Sequence, residues 1–458
     1  MHPCPKRRKV CTNVPFLGRD IWGLIQGYAE SEVRTICATE AAFAATTTDG
    51  RVVAWGNPAY GGDSSGVRAH LWNVEQVYAK SRAFAAMTSD GRVVAWGCPE
   101  HGGDSSGVQA QLHHVDHIYG TGHAFAATTT DGRVVTWGDT AFGGDSSGVQ
   151  AHLQNVEYIS ATSTAFAAKT ADGRAVAWGW PIGGGDSSGV QAQLQNVAHI
   201  SATATAFAAR TADGRVVAWG WPDGGGDSSG VQARLQNVVH ISATTNAFAA
   251  TTADGCVVAW GHPSGGGNSS RVQARLHHVD HIYGTDQAFV VTATDGRHAA
   301  WGHLPSGGDR PGVQPHRPDV EHISAIGHAF TATTTDGRVV AWGWTRFHHV
   351  DIAVAQLRLQ VVGRVYNTLG AFAAKTTGGH VVTWRNPTYA GGSPWCGGDL
   401  DRPVIRLRNV AHICTTLYAF AAVDTGGRVV AWGDPENGGD ISDVRSLLEP
   451  TKLSLQYL

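Results

Sequence analysis

The tryptophan of the octapeptide Asp-Gly-Arg-Val-Val-Ala-Trp-Gly, or of a close variant of it, comes back at Trp55, Trp96, Trp137, Trp178, Trp219, Trp260, Trp301, Trp342, Trp384 and Trp432. The first seven intervals are all 41 residues, followed by 42 and 48. A chain of 458 residues would by length alone suggest two or three domains, but a fixed period makes it an array of one small unit. Ten units span residues 32–447, leaving an N-terminal tail at 1–31 and a C-terminal tail at 448–458. The segment LHHVDHIYGT stands at both 112–121 and 276–285, four periods apart, and marks recent duplication.

Within the unit AFAAMTSDGRVVAWG (83–97), Asp90-Gly91 separates two apolar, β-rich runs, which is a strong local hairpin signal. Where Asp-Gly is lost it becomes Gly378-Gly379 or Gly426-Gly427, with the same turn chemistry. A two-residue type I′ loop sets Ala85 opposite Trp96 and Met87 opposite Val94, with Ala86 opposite Ala95 and Thr88 opposite Val93. Both faces of such a hairpin are largely apolar, so each unit must be sandwiched between its neighbours.

A third strand is expected upstream, from Asn-Val-x-x-Ile-x-Ala as in NVAHISA (196–202). Downstream, GVQAQLQNV (189–197) alternates Val190, Ala192 and Leu194 with glutamines, the pattern of a short outer strand or an ordered loop. The expected fold is all-β: a β-propeller of about ten 41-residue repeats with three- to four-stranded blades, or an open β-solenoid-like array. The tryptophan-aspartate propeller signatures are missing.

The order x-Val-x-x-Ile-x-Ala, Ala-Phe-Ala-Ala, Asp-Gly-Arg-Val-Val-Ala-Trp-Gly and a Gly-Gly-x-Ser loop resembles the repeat of the regulator of chromosome condensation family. Ala-Phe-Ala stands where that family usually has His-Ser, and Gly-Gly-Asp-Ser-Ser where it has Gly-Gln-hydrophobic-Gly. The short period is more similar to the compact three-stranded blades of the family's bacterial β-lactamase-inhibitor relatives. The resemblance implies a propeller, usually of seven blades. Ten units leave three over, so the ring is larger, the array is open, or the units after Trp342 pack separately. It also implies two activities found among members: nucleotide exchange on a small GTPase, and recruitment of ubiquitination substrates. RNPTYAGGSPWCGGD (385–399) is the one distinctive insertion.

Gly-Asp-Ser-Ser-Gly at 62–66, 103–107, 144–148, 185–189 and 226–230 matches the nucleophile-elbow expression Gly-x-Ser-x-Gly. An enzyme needs one nucleophile and one relay, whereas five evenly spaced copies describe a structural turn, so Ser64, Ser105, Ser146, Ser187 and Ser228 are read as turn residues. The histidine column His117, His199, His240, His281, His322 and His412 invites a metal reading, but equivalent positions on stacked sheets lie about 10 Å apart, too far to share one ion. His113, His114, Asp116 and His117, with their copy at His277, His278, Asp280 and His281, are read as a solvated polar edge. The column Asp63, Asp104, Asp145, Asp186, Asp227, Asp309, Asp399 and Asp440 offers one acid per loop, as an Asx turn does. No zinc-protease helix, phosphate loop or dinucleotide fingerprint occurs, so neither enzyme, metal nor cofactor is expected.

Net charge is −3 with 16% charged residues, so no general field draws the body of the protein to nucleic acid or anionic membrane. Only the basic run Lys6, Arg7, Arg8 and Lys9 could meet a polyanion or act in nuclear import. Seven cysteines without paired spacing suggest free thiols, and no apolar run approaches the ~18 residues of a membrane span. The expected place is cytoplasmic or nuclear. What varies between units is the loop after Trp-Gly, the arrangement by which a constant scaffold presents a binding surface. Trp180, Trp221 and Trp344, directly after Trp-Gly, with Tyr60 and Phe142, are the expected contacts of a protein partner, in a non-catalytic interaction scaffold.

Overall fold

The computed structural model describes residues 32–308, 320–326, 329–334, 339–343, 362–369, 371–376, 378–385 and 407–448. These residues form ten three-stranded antiparallel sheets, each a simple meander in chain order. Blade 1 comprises β1 (Val33–Ala38), β2 (Ala42–Thr47) and β3 (Val52–Gly56), and blade 2 comprises β4 (Val74–Lys80), β5 (Ala83–Thr88) and β6 (Val93–Gly97). The series runs on to blade 10, with β28 (Val410–Thr415), β29 (Ala419–Asp424) and β30 (Val429–Gly433).

The hairpin differs from the expected one by a single residue. Phe84 pairs with Trp96, Ala85 with Ala95, Ala86 with Val94 and Met87 with Val93. The loop has three residues, Ser89-Asp90-Gly91, closed by Gly91 N–H to Thr88 carbonyl at 2.8 Å and Thr88 N–H to Arg92 carbonyl at 2.9 Å. Only Gly91 takes positive φ (+73°), so a turn ending in a left-handed glycine replaces type I′. The loop's side chains favour this form. The Thr88 hydroxyl donates to Asp90 and accepts the Arg92 N–H, while Asp90 also holds the Arg92 guanidinium at 2.6 Å.

That shift decides the packing. Phe84 and Trp96 now stack on one face, ring centroids 5.0 Å apart, and leave alanines on the other. The Phe84, Ala86 and Trp96 face packs on Ala42, Ala44 and Val52 of blade 1, while Ala83, Ala85 and Met87 receive Phe125 and Trp137 of blade 3. The middle strand is buried end to end. The core is therefore not inside any blade but between blades, large rings set against small residues.

Blades 2 to 7 are each also tied to the one before through the tryptophan. Trp96 Nε1 donates to the Gly61 carbonyl at 3.0 Å and Trp137 Nε1 to Gly102 at 3.0 Å. Blade 1 obeys the same rule with blade 10: Trp55 Nε1 donates to the Gly438 carbonyl at 3.0 Å. The Val33 N–H reaches the Gly427 carbonyl (3.3 Å), the Leu417 N–H the Glu40 carbonyl (2.9 Å), and the Cys414 thiol the Ile36 carbonyl (2.7 Å). Ile441 and Leu448 join the blade 1 and blade 10 core. The array is thus a closed β-propeller of ten blades, and the first strands of neighbouring blades lie against one another around the axis.

The outer strand suggested for GVQAQLQNV is absent. Gln191–Gln193 form a 3-10 turn, and Val197 already begins the inner strand of the next blade. A side chain does the work of a backbone ladder here: Gln191 Nε2 donates to the Ala175 carbonyl on the blade's outer strand at 3.0 Å, and Ser187 Oγ donates to Gln191 Oε1 at 2.9 Å. Exposed strand edges need such cover. Among the described residues no helix is long and apolar enough to cross a membrane.

Candidate interaction rim

The propeller has two unlike rims. One carries the Asp-Gly hairpins. The other carries the turns between first and second strands together with the loops after Trp-Gly, held together by bonds such as Cys98 N–H to the Arg82 carbonyl (3.0 Å) and Thr39 hydroxyl to the Tyr60 carbonyl (2.9 Å). On this loop rim the turns link blade to blade: Ser163 N–H to Ala204, Ala204 N–H to Thr245 and Thr245 N–H to Asp286, each 2.9 Å. The variable loops therefore stand on a rigid backbone belt.

Four of the five expected contact residues lie on this rim. Trp180 and Trp221 are 41% and 45% exposed, and each starts a proline-led turn on adjacent blades. Phe142 is half-buried, its ring centroid 5.6 Å from that of Trp180. Tyr60 is half-buried too, packed on the blade 1 and 2 core with the Arg82 guanidinium 4.8 Å over its ring. Trp344 lies outside the described residues, as do Lys6, Arg7, Arg8, Lys9, Cys4, Cys11 and Cys396.

The structure adds Arg82, His101 and His123, which the reading of the loops alone missed. His101 lies 4.7 Å from His123, and His123 stacks on Phe142 at 4.6 Å, so that His101, His123, Phe142 and Trp180 make one row of rings over three blades. Burial, and then the charges of His123 and Arg82, press the His101 imidazolium below its ordinary pKa. His101 Nδ1 also lies 3.2 Å from Cys98 Sγ. The signal for Arg82 and His123 was the variable residue just before Ala-Phe, which only the fold places beside the Trp-Gly loop.

The Gly-Gly-Asp-Ser-Ser loop is a turn whose parts are accounted for by packing. Asp63 Oδ1 accepts the Ser65 N–H at 2.8 Å, and this bond, followed by that of the Ser65 hydroxyl, holds the carboxyl below its ordinary pKa. Asp104, Asp145, Asp186, Asp227, Asn268 and Asp440 repeat the bond, while Asp309 and Asp399 lie outside the described residues. Ser105, Ser146, Ser187 and Ser228 are buried and donate to the glutamine four residues on.

The histidine column lies on the inner strands, where a bulge after the first valine leaves two successive residues exposed, as at Ala411-His412. Neighbouring blades come closer here than the expected spacing of about 10 Å. Tyr158 and His199, adjacent in the column, have ring centroids 5.8 Å apart, and Tyr158 Oη accepts the Ile200 N–H at 2.8 Å. In the duplicated set, Asp280 pairs with His281 at 2.9 Å, and His114 and His278 take the left-handed conformation that asparagine takes elsewhere in the same register.

No protein-family model matches the sequence, and no similar curated protein was found. Among solved structures, the chain is similar to Prp20p from Saccharomyces cerevisiae, whose report concerns its binding to Gsp1p and histones (13% identity, 79% of this chain and 83% of that one, TM-score 0.34). It is likewise similar to yeast RCC1 (Prp20) bound to Kap60 (14%, 94% and 85%, TM-score 0.30) and to the computationally designed Ika8 protein (16%, 68% and 96%, TM-score 0.32). The propeller assignment rests on the blade seams described above and not on these likenesses.

Proposed function

We propose that this protein is a non-catalytic interaction propeller that binds a protein partner through the loop rim of blades 2 to 5. The observation that carries this reading is the pair Trp180 and Trp221, two indoles left 41% and 45% exposed on adjacent blades and continued by Phe142, His123 and His101. Exposed aromatic rings on a rigid frame are favoured anchors, each worth about 2 kcal/mol or more of binding. The double change Trp180→Ala and Trp221→Ala should weaken partner capture from native cell extract at least about tenfold, equivalent to about 1.4 kcal/mol. The melting temperature should stay nearly unchanged. A large fall in melting temperature with capture retained would assign both rings to packing instead.

The finer reading, that the partner is a small GTPase or a ubiquitination substrate, draws only on the repeat resemblance. A nucleotide-release assay with a panel of small GTPases tests the first part of it. A reducing, cytoplasmic or nuclear setting is proposed from the unpaired spacing of the seven cysteines alone.

A further inference from the structure

The bulge on each first strand leaves two successive residues exposed, and on blades 2, 3, 4 and 7 the first of them is an acid: Glu75, Asp116, Glu157 and Asp280. On blade 4 that acid has a cation to hold, since Glu157 pairs with Lys169, which lies opposite Tyr158 on the second strand. Blade 5 (first strand Val197–Ala202, second strand Ala206–Thr211) keeps the cation and loses the acid. Arg210 lies opposite His199 in the register of Lys169, and Ala198 takes the place of the acid. On blade 6 the same place is taken by Val239. Among the described residues Arg210 makes no ion pair.

The near neighbours of Arg210 are basic too. Residues two apart on a strand share a face, so Arg210 lies on the face of Ala206 and Ala208, which packs on Val238 and Ile241 of blade 6. His240 stands between those two residues on the first strand of blade 6. Solvent reaches both imidazoles, and Arg210 is half-buried. Partial burial, then the Arg210 charge, then the next histidine of the column hold the His199 and His240 imidazoliums below their ordinary pKa. No acid among the described residues bears on either, whereas His281 on blade 7 pairs with Asp280. From blade 4, Tyr158 Oη lies 3.4 Å from His199 Nδ1, and the acid beside it is already taken by Lys169. Basic groups assembled without a counter-charge repel one another, and an anion placed among them turns each repulsion into attraction.

We propose that Arg210, His199 and His240 bind a tetrahedral oxyanion, a phosphate or a phosphate monoester, between blades 5 and 6. The site lies on the hairpin side of the molecule, where the Val197 N–H meets the Gly173 carbonyl at 2.7 Å, and it does not depend on the interaction reading above. The guanidinium offers two parallel N–H groups to two phosphate oxygens, and the imidazoles on either side donate to the rest. A carboxylate, with one charge and two oxygens, answers fewer of these donors. Net charge is −3 and the hairpin arginines Arg174 and Arg215 are paired with Asp172 and Asp213, so the site suits a single anion rather than a polyanion. Binding draws protons onto the imidazoles, so affinity rises as pH falls.

The test titrates the full chain with inorganic phosphate, with a capped phosphoserine amide and with sulfate, at constant ionic strength, followed by calorimetry and by the histidine ring resonances. Phosphate or the monoester should bind saturably and shift His199 and His240. Tighter binding of the monoester identifies a phosphate carried on a side chain, and tighter binding of inorganic phosphate a free ion. Sulfate keeps its charge across the range, and its affinity should rise at least about threefold from about pH 7.5 to about pH 5.5, a rise lost when His199 and His240 are changed together to Gln. Ala198→Glu, which gives blade 5 the acid of blade 4, should weaken binding at least about tenfold with the melting temperature held. Arg210→Ala should do the same, Arg210→Lys less, and Arg215→Ala nothing. Should Arg210→Ala fail to fold, Ala198→Glu still decides. No saturable binding of any of the three anions, binding indifferent to Ala198→Glu, or sulfate affinity level with pH overturns the site.

Discussion

At Gly102 the backbone sits at φ +85°, and an added Cβ would stand 2.6 Å from Cδ2 of Phe125 on the next blade. Its neighbour Gly103 has ordinary φ, but a Cβ there would lie 2.5 Å from the Gly97 carbonyl group. Gly107, which completes the Gly-x-Ser-x-Gly match, would meet nothing within 4 Å. The residue that makes the motif look enzymatic is the one that packing does not require. Gly102→Ala should therefore cost on the order of 2–5 kcal/mol, backbone strain and overpacking together. Gly107→Ala should stay within about 0.5 kcal/mol of wild type. Thermal unfolding of the two single variants checks both, and equal effects would contradict the assignment of the blade seam.

The hairpin is the element whose chemistry decides most. Gly91 takes φ +73° with an added Cβ only 2.9 Å from the His114 backbone, so Gly91→Val should cost on the order of 1–3 kcal/mol by strain alone. An unchanged melting temperature would remove the turn assignment. The same loops predict acid sensitivity. The Arg92 side chain and then the Thr88 hydroxyl hold Asp90 at about 2, the Thr129 hydroxyl and then Arg133 hold Asp131 below its ordinary value, and the Thr211 hydroxyl and then Arg215 do the same for Asp213. A carboxyl depressed in the folded state contributes stability that is complete above its unfolded value of about 4 and is lost as pH falls through the folded value. The melting temperature should thus be level above about pH 5 and fall towards pH 2, the fall being smaller when Asp90, Asp131 and Asp213 are changed to Asn together. A profile that the triple change leaves as steep would place the acid sensitivity elsewhere.

Closure is a property of the whole molecule, and it can be tested at one residue. An added Cβ at Gly438 would stand 2.5 Å from Cδ2 of Phe43, just as one at Gly61 would stand 2.6 Å from Cδ2 of Phe84. In a closed ring Gly438→Val should lower the melting temperature about as much as Gly61→Val. In an open array Phe43 would be nowhere near, and that clash would vanish. The comparison separates the two architectures without a new structure.

Much of this molecule was readable in one dimension, because a period of 41 residues and two apolar faces per hairpin leave few ways to bury the chain. The three strands of each unit and the role of Gly-Gly-Asp-Ser-Ser as a turn follow from local chemistry, and the structure shows both. What the sequence left open are the properties that depend on groups far apart along the chain. A turn of two or three residues fits the Asp-Gly signal, and it is the three-residue form that sets Phe84 opposite Trp96, both rings against the neighbouring alanines. The outer edge was satisfied by glutamine side chains rather than a fourth strand. Arg82, His101 and His123 joined the rim because two loops distant in sequence share one end of the blades. Ten blades rather than seven close because the seam between blades 10 and 1, with Trp55 bound to Gly438 and Phe43 packed on Gly438, reproduces the seam between consecutive blades from 1 to 7. Ring closure is a sum of small rotations between blades, and no single repeat encodes that sum.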